Sequence, residues 1–411
     1  MSWLVPPEDL TPDQLRAIEM PMNEHRVIFG APGSGKTLAL IYRARHLCQE
    51  YGIAPDWFRI FVFTNVLKQY IQSGIRDLAL PADCVLTLDD WCKNYYQEEI
   101  GGRLPWDQPN HHPDFDAIRT AVLQAHSGKP PLYDFVLVDE GQDLDSECFE
   151  LLKRIGKHVT VCVDQKQQIY DHGSTDEEIV GTLGLKRSNL NLLDAFRCCP
   201  YIVQVAAEFI SDAAERAAFL NQARTAQTEL QTPLFYEAED FDGEKKRLIE
   251  IIRERQVDRD RSIAILFHLR RQVWGFAQAL RDAGLEVETR DPQEGNTLDF
   301  GNGIPKVLTL HSAKGLTFDT VIMPRLVEGS FRRVSDARRE KLLYVGITRA
   351  TKWVYLSTVE GKAISELDRL RVLADGPAPP ITFQSWSDPI AMPPPPPPEE
   401  DPGDDGLLDL L

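Results

Sequence analysis

Short apolar runs that end on polar residues recur along the first half of this chain. Val27-Ile28-Phe29 leads into a glycine-rich loop, and Ile60-Phe61-Val62-Phe63 leads into Thr64-Asn65. Phe135-Val136-Leu137-Val138 ends at Asp139-Glu140, and Val159-Thr160-Val161-Cys162-Val163 ends at Asp164. Runs that are apolar at successive rather than alternate positions suit strands buried on both faces, as in a parallel sheet covered by helices. Helical signals fall between them. Leu38-Ala39-Leu40-Ile41-Tyr42 reads as a helix, and Leu10-Thr11-Pro12-Asp13-Gln14 is a helix start, with Thr11 as N-cap and Pro12 in the first turn. Alternation of this kind predicts an α/β fold whose functional residues cluster at the carboxyl tips of the strands.

From about residue 185 the pattern restarts, with helical stretches at 200–218, 243–256 and 270–283 and strands at 263–267, 306–310, 320–323 and 353–358. The spacing predicts two domains, 1–184 and 185–371, the second without a phosphate loop of its own. A stretch rich in Pro, Gly and His, about 97–131, reads as a short irregular insertion. Residues 372–411 are rich in Pro and acid, with prolines filling 393–398, and cannot bury enough apolar surface to fold. A disordered tail is expected there. Its end, Gly406-Leu407-Leu408-Asp409-Leu410-Leu411, is either a frayed terminus or a segment that docks in a protein partner's groove.

Composition narrows the class. Hydrophobic residues at 43% and charged residues at 26% are those of an ordinary globular chain. No apolar run approaches membrane-spanning length, the start lacks a signal-peptide layout, and the seven cysteines show no metal-like spacing, so a cytoplasmic protein without membrane contact is expected. A net charge of −18 argues against coating nucleic acid by bulk electrostatics. No Lys or Arg follows Arg371, so part of the excess lies in the tail and a local basic groove on the body remains open.

Gly30-Ala31-Pro32-Gly33-Ser34-Gly35-Lys36-Thr37 lies between a strand and a helix, the context a phosphate-binding loop requires. Its glycines let backbone N–H groups turn inward on phosphates, and the following helix adds the positive end of its dipole. Lys36 is expected to reach the terminal phosphates and Thr37 to ligate Mg²⁺. The chain is therefore expected to bind ATP. At a second strand tip, Asp139 is expected to hold the metal and Glu140 to position or deprotonate the attacking water.

Asp139-Glu140-Gly141-Gln142-Asp143 and Tyr344-Val345-Gly346-Ile347-Thr348-Arg349-Ala350 resemble motifs of the UvrD/Rep/PcrA family of superfamily 1 DNA helicases. The resemblance covers roughly residues 10–360 and implies two tandem RecA-like P-loop NTPase domains. By that resemblance Gln14 reads adenine, Phe196 stacks on it, and Arg197 and Arg349 reach the γ-phosphate from across a cleft. Gln167 couples the phosphate to nucleic-acid contacts made by Thr64, Asn65, Thr87, Tyr170 and His172. His311-Ser312-Ala313-Lys314-Gly315-Leu316-Thr317-Phe318 resembles the motif joining nucleotide sensing, at Gly315, to DNA backbone contact, at His311.

There are departures. Acids Asp89 and Asp90 stand where a His-Ser pair is common, His172 replaces a stacking Trp, and Thr317 replaces a sugar-contacting Glu. The family's first insertion is reduced here, and the second is represented by one short polar linker, 291–305. The resemblance implies a stripped 3′→5′ translocase and helicase on single-stranded DNA. Two other readings stay open: a DNA-stimulated regulatory ATPase subunit of a larger repair or defence complex, and a motor on RNA.

Overall fold

The structure, a computed structural model, describes residues 4–108, 112–164, 167–168, 173–186, 191–193, 198–223, 230–257, 260, 262–290 and 297–388. Two six-stranded sheets organise them, and every pairing within each is parallel. The first contains β1 (Arg26–Gly30), β2 (Phe58–Val62) and β3 (Val85–Thr87). A small antiparallel hairpin, β4 (Trp106–Asp107) and β5 (His112–Pro113), intervenes. The sheet resumes with β6 (Tyr133–Val138), β7 (Gly156–Val163) and β8 (Asn191–Leu193), in the order β3-β2-β6-β7-β1-β8. The second sheet comprises β9 (Leu234–Ala238), β10 (Ile263–Phe267), β11 (Lys306–Thr309), β12 (Phe318–Met323), β13 (Ala350–Val359) and β14 (Thr382–Ser385), in the order β11-β10-β12-β13-β9-β14. The architecture is α/β, in two RecA-like domains.

The apolar runs predicted this arrangement because each strand is buried on both faces. In β6, Phe135 and Leu137 enter one core cluster while Val136 and Val138 enter another. In β10, Ile263, Ile265 and Phe267 face one cluster, and Ala264 and Leu266 the opposite one. One cluster runs without a break from Ile28 and Leu67 in the first domain to Leu308 and Leu316 in the second. The two domains therefore share apolar surface as well as a cleft.

Several expectations need correction. The first sheet takes its edge strand from β8, past the boundary expected at 184. The stretch at 97–131 contains a helix, Phe115–Ala125, capped by Asp114 and packed through fully buried Ile118 and Val122. Its Pro- and Gly-rich flanks hid that apolar spacing. The tail does not begin at 372: a helix spans Asp368–Ala374, Ile381 is fully buried, and β14 pairs with β9. Ile381 and Phe383, packed on the core cluster, hold this Pro-rich segment together with the β9 pairing. The remainder of the tail, 389–411, lies outside the described residues. The polar linker is no mere connector either. Leu298 is buried, its N–H donates to Gln69 Oε1 at 3.4 Å, and the Phe300 ring meets Tyr70 edge-on at 5.1 Å, both on the first domain's helix Asn65–Ile75.

Candidate nucleotide cleft

The loop after β1 carries its backbone through the left-handed region at Gly33 (φ 75°) and Gly35 (φ 81°). A Cβ on Gly35 would stand 2.3 Å from Gln14 Nε2, so this position accepts glycine on both steric and conformational grounds. The helix Lys36–Tyr51 starts directly after it with no side-chain cap, leaving its first N–H groups to a ligand. The Ser34 hydroxyl is buried and has no hydrogen-bond partner among the described residues. Lys36 Nζ donates to the carbonyls of Gly30 at 2.7 Å and Ala31 at 3.0 Å, and pairs with Asp164 at 3.2 Å. An orphaned hydroxyl, an uncapped helix start and a buried cation are the chemistry a polyphosphate satisfies.

Asp139 and Glu140 follow β6. Thr37 Oγ1 donates to Asp139 Oδ2 at 2.6 Å, bringing together two hard oxygen donors of the kind Mg²⁺ takes. Burial, with Glu140 adjacent, pushes the Asp139 carboxyl up to about 6. Glu140 sits at φ 56°, strained for a side chain with a Cβ, and this turns its carboxylate back over the strand tips. Gln142 Nε2 donates to Glu140 Oε2 at 2.5 Å and Gln142 Oε1 accepts from the Asp164 N–H at 2.9 Å, so one buried amide ties two strand tips together. Burial works against ionisation of Glu140, yet the Lys314 ammonium, with Lys36 and Arg349, holds it below its usual value.

Lys314 comes from the other domain. It is 1% exposed, pairs with Asp143 and lies 3.7 Å from Glu140 Oε2. Burial pushes the Asp143 carboxyl up to about 7 despite that partner. Arg349, before β13, donates to the Val345 carbonyl at 3.1 Å, to the Leu316 carbonyl at 3.2 Å and to Gln167 Oε1 of the first domain. Gln167 Nε2 in turn donates to Asp164 Oδ2 at 2.7 Å. Two cations of the second domain thus reach the acidic tips of the first.

Between the domains lies a cleft of about 680 Å³. Gly33, Lys36, Thr37 and Glu140 line it from one side, and Gly315, Thr317 and Arg349 from the other. A Cβ on Gly315, itself at φ 78°, would stand 2.7 Å from Leu67 and 3.4 Å from Glu140 Oε1. Only glycine lets the second domain's loop come this close.

The structure brings Lys36, Thr37, Asp139, Glu140, Gln167, Gly315 and Arg349 together at this cleft. Gln14 abuts the loop, but its amide is engaged: Oε1 accepts from the Thr11 N–H at 3.0 Å and Nε2 donates to the Ser34 carbonyl at 2.9 Å. Thr64 and Thr87, at the tips of β2 and β3, cap helices by accepting from Leu67 N–H and Asp90 N–H, with Asn65 opening the first of these helices. His311 lies near His268, and burial pushes its imidazole down to about 4. Tyr170, His172, Phe196 and Arg197 lie outside the described residues. Sequence reasoning passed over Gln142, Asp143, Asp164 and Lys314, all inside motifs already marked, because their partners are far away in the chain.

Among the described residues, no group of three or more His, Cys, Asp or Glu could hold a metal, and no helix is long and apolar enough to cross a membrane. No disulfide joins the cysteines among the described residues.

Comparisons with known proteins follow this division. A family model for an AAA domain matches residues 14–172, and one for the UvrD-like helicase C-terminal domain matches 306–357. DNA helicase II of Rickettsia typhi is 42% identical over 75 residues, 16% of this chain and 11% of that protein. The mitochondrial ATP-dependent DNA helicase of Saccharomyces cerevisiae is 25% identical over 290 residues, 50% of this chain and 41% of that one. A Mycoplasma pneumoniae protein named "Probable DNA helicase" is 24% identical over 247 residues, 55% of this chain and 43% of its own. The chain spans less than half the length of these relatives. With one family match on each sheet, in the order the motifs require, the comparisons support a UvrD-like superfamily 1 helicase.

Proposed function

We propose that this protein is an ATP-dependent 3′→5′ translocase on single-stranded DNA with helicase activity. The observation that carries the reading is the pairing of Lys314 and Arg349 with Asp143, Glu140 and Gln167 across the cleft. Cations supplied by one domain to a phosphate loop on the other make hydrolysis depend on closure, which is how a two-domain motor couples chemistry to movement. Polarity rests on the family resemblance.

The backbone of 33–37, the Ser34 hydroxyl and Lys36 would hold the phosphates, Thr37 and Asp139 would hold Mg²⁺, and Gln14 and Phe196 would hold the base. Bound ATP supplies the phosphoanhydride bond whose hydrolysis drives the cycle. Glu140 accepts the proton of the attacking water at Oε1, the oxygen facing Gly315, while Gln142 and Lys314 hold Oε2. Arg349, with Arg197, neutralises charge developing on the γ-phosphate. Thr64, Asn65, Thr87, Tyr170, His172 and His311 are assigned to DNA, and a protein partner to the leucine-ended tail. A cytoplasmic location accords with cysteines that form no disulfide among the described residues.

A second reading, a DNA-stimulated regulatory ATPase subunit with little unwinding of its own, is favoured by the short linker, 291–305, that follows the helix Arg270–Asp282 and leads into β11 where the family carries its second insertion. Steady-state ATP hydrolysis with and without single-stranded DNA tests the proposal, with Glu140→Gln as control. Strong stimulation, abolished in the control, is expected. Turnover indifferent to DNA refutes translocation, and stimulation without strand separation selects the second reading.

A further inference from the structure

Elsewhere on the second domain Arg247, Arg255, Arg325, Arg339 and Arg371 each pair with a carboxylate. Arg270, Arg271 and Arg290 have no carboxylate partner among the described residues. They flank Trp274, which is 49% exposed on the helix Arg270–Asp282. A lone exposed tryptophan needs no explanation. This one is set among unpaired cations on a chain of net charge −18, where such a patch has a field unlike its surroundings.

Its position is informative. Arg270, Trp274 and Arg290 line a small cleft of about 70 Å³ with Thr309 and Ser312, and the wall opposite is Val66 of the first domain. Val66 follows Asn65 in the chain and Ser312 follows His311, so the cleft joins the two segments assigned above to nucleic acid, one from each domain. Thr309 Oγ1 donates to Ser312 Oγ at 2.8 Å and accepts from the Ser312 N–H at 3.1 Å, which fixes the turn that lines the cleft with Trp274. A ring presented beside arginines along a track between two domains is the arrangement that seats a base while its phosphates are neutralised. Protein partners also use exposed tryptophan, but three unpaired arginines favour a polyanion.

We propose that Trp274 is a base-stacking platform for single-stranded DNA, with Arg270 and Arg290 on the flanking phosphates. It supplies in the second domain the stacking surface that His172 leaves weaker in the first. This inference rests on the translocase reading.

The test is fluorescence anisotropy of the full chain with a labelled thymidine oligomer of about 16 residues, beside an abasic oligomer of equal length. Trp274→Ala is expected to weaken binding of the thymidine oligomer about ten-fold, Trp274→Phe about three-fold or less, and neither should change binding of the abasic strand. ATP hydrolysis without DNA should be unchanged in both variants, which excludes misfolding as the cause. Arg270→Gln and Arg290→Gln should each lower the slope of log affinity against log salt by about 0.7. Wild-type affinity of Trp274→Ala for the thymidine oligomer would overturn the proposal and leave this face to a protein. Equal losses on both oligomers would also overturn it, since the indole would then act on the backbone path rather than on a base. If the wild-type chain binds neither oligomer, the translocase reading fails first and this inference with it.

Discussion

Replacing Lys314 by Met keeps most of the side chain's volume and removes its charge. Lys314 is buried between Asp143 and Glu140, both themselves buried, so the variant leaves the two carboxylates without the cation that pairs with both of them. Removing one partner of a buried pair costs about 3–5 kcal/mol. Asp143, already pushed up to about 7, escapes part of this by taking up a proton near neutrality, which sets the expectation at about 3 kcal/mol. Because the pair joins the two domains, the cost falls on the closed arrangement rather than on either domain's fold. At about 1.4 kcal/mol per decade this is roughly a hundred-fold loss of kcat at saturating ATP and DNA. Glu140 also loses the largest charge holding it low, so the acid limb of the kcat–pH profile should move to higher pH. Adding Asp143→Asn removes the stranded charge and should recover about ten-fold. A Lys314→Met enzyme within about three-fold of wild type, or a double variant no better than the single one, would refute the coupling of closure to hydrolysis through this pair.

Two further outcomes are expected. Gly35→Ala forces a side chain into the left-handed region and into Gln14 Nε2 at 2.3 Å, so urea unfolding should reveal a loss of about 2 kcal/mol. Gln14→Ala in the same background should relieve the steric share, and purely additive losses would argue against the contact. His158 is buried beside Arg43, and burial, then Arg43, push its imidazole down to about 3. Its folded value lies below its unfolded one, so its contribution to stability is full above about pH 6.5 and falls as pH drops toward 3. His158→Gln should therefore lose less Tm than wild type between pH 7 and pH 5, and parallel curves would dismiss the assignment.

Local chemistry carried much of this protein into its sequence. Apolar runs ending on polar residues marked β1, β2, β6, β7 and β10, because a strand buried on both faces has no freedom to be polar. The glycine loop and the Asp139-Glu140 pair were legible because backbone approach to phosphate and paired carboxylates each demand particular residues at fixed spacing. Edge strands β3, β8 and β14 were not, being short and flanked by Pro or masked by polar neighbours. The same holds for the helix Phe115–Ala125, hidden between Pro-rich flanks. What only the tertiary structure decided is which charges meet. Lys314 and Asp143 are 171 positions apart, and Arg349 and Gln167 are 182 apart. No local periodicity links such positions. Their pairing exists because two sheets close over a shared apolar cluster, and only when water is excluded from that contact do those charges acquire their strength.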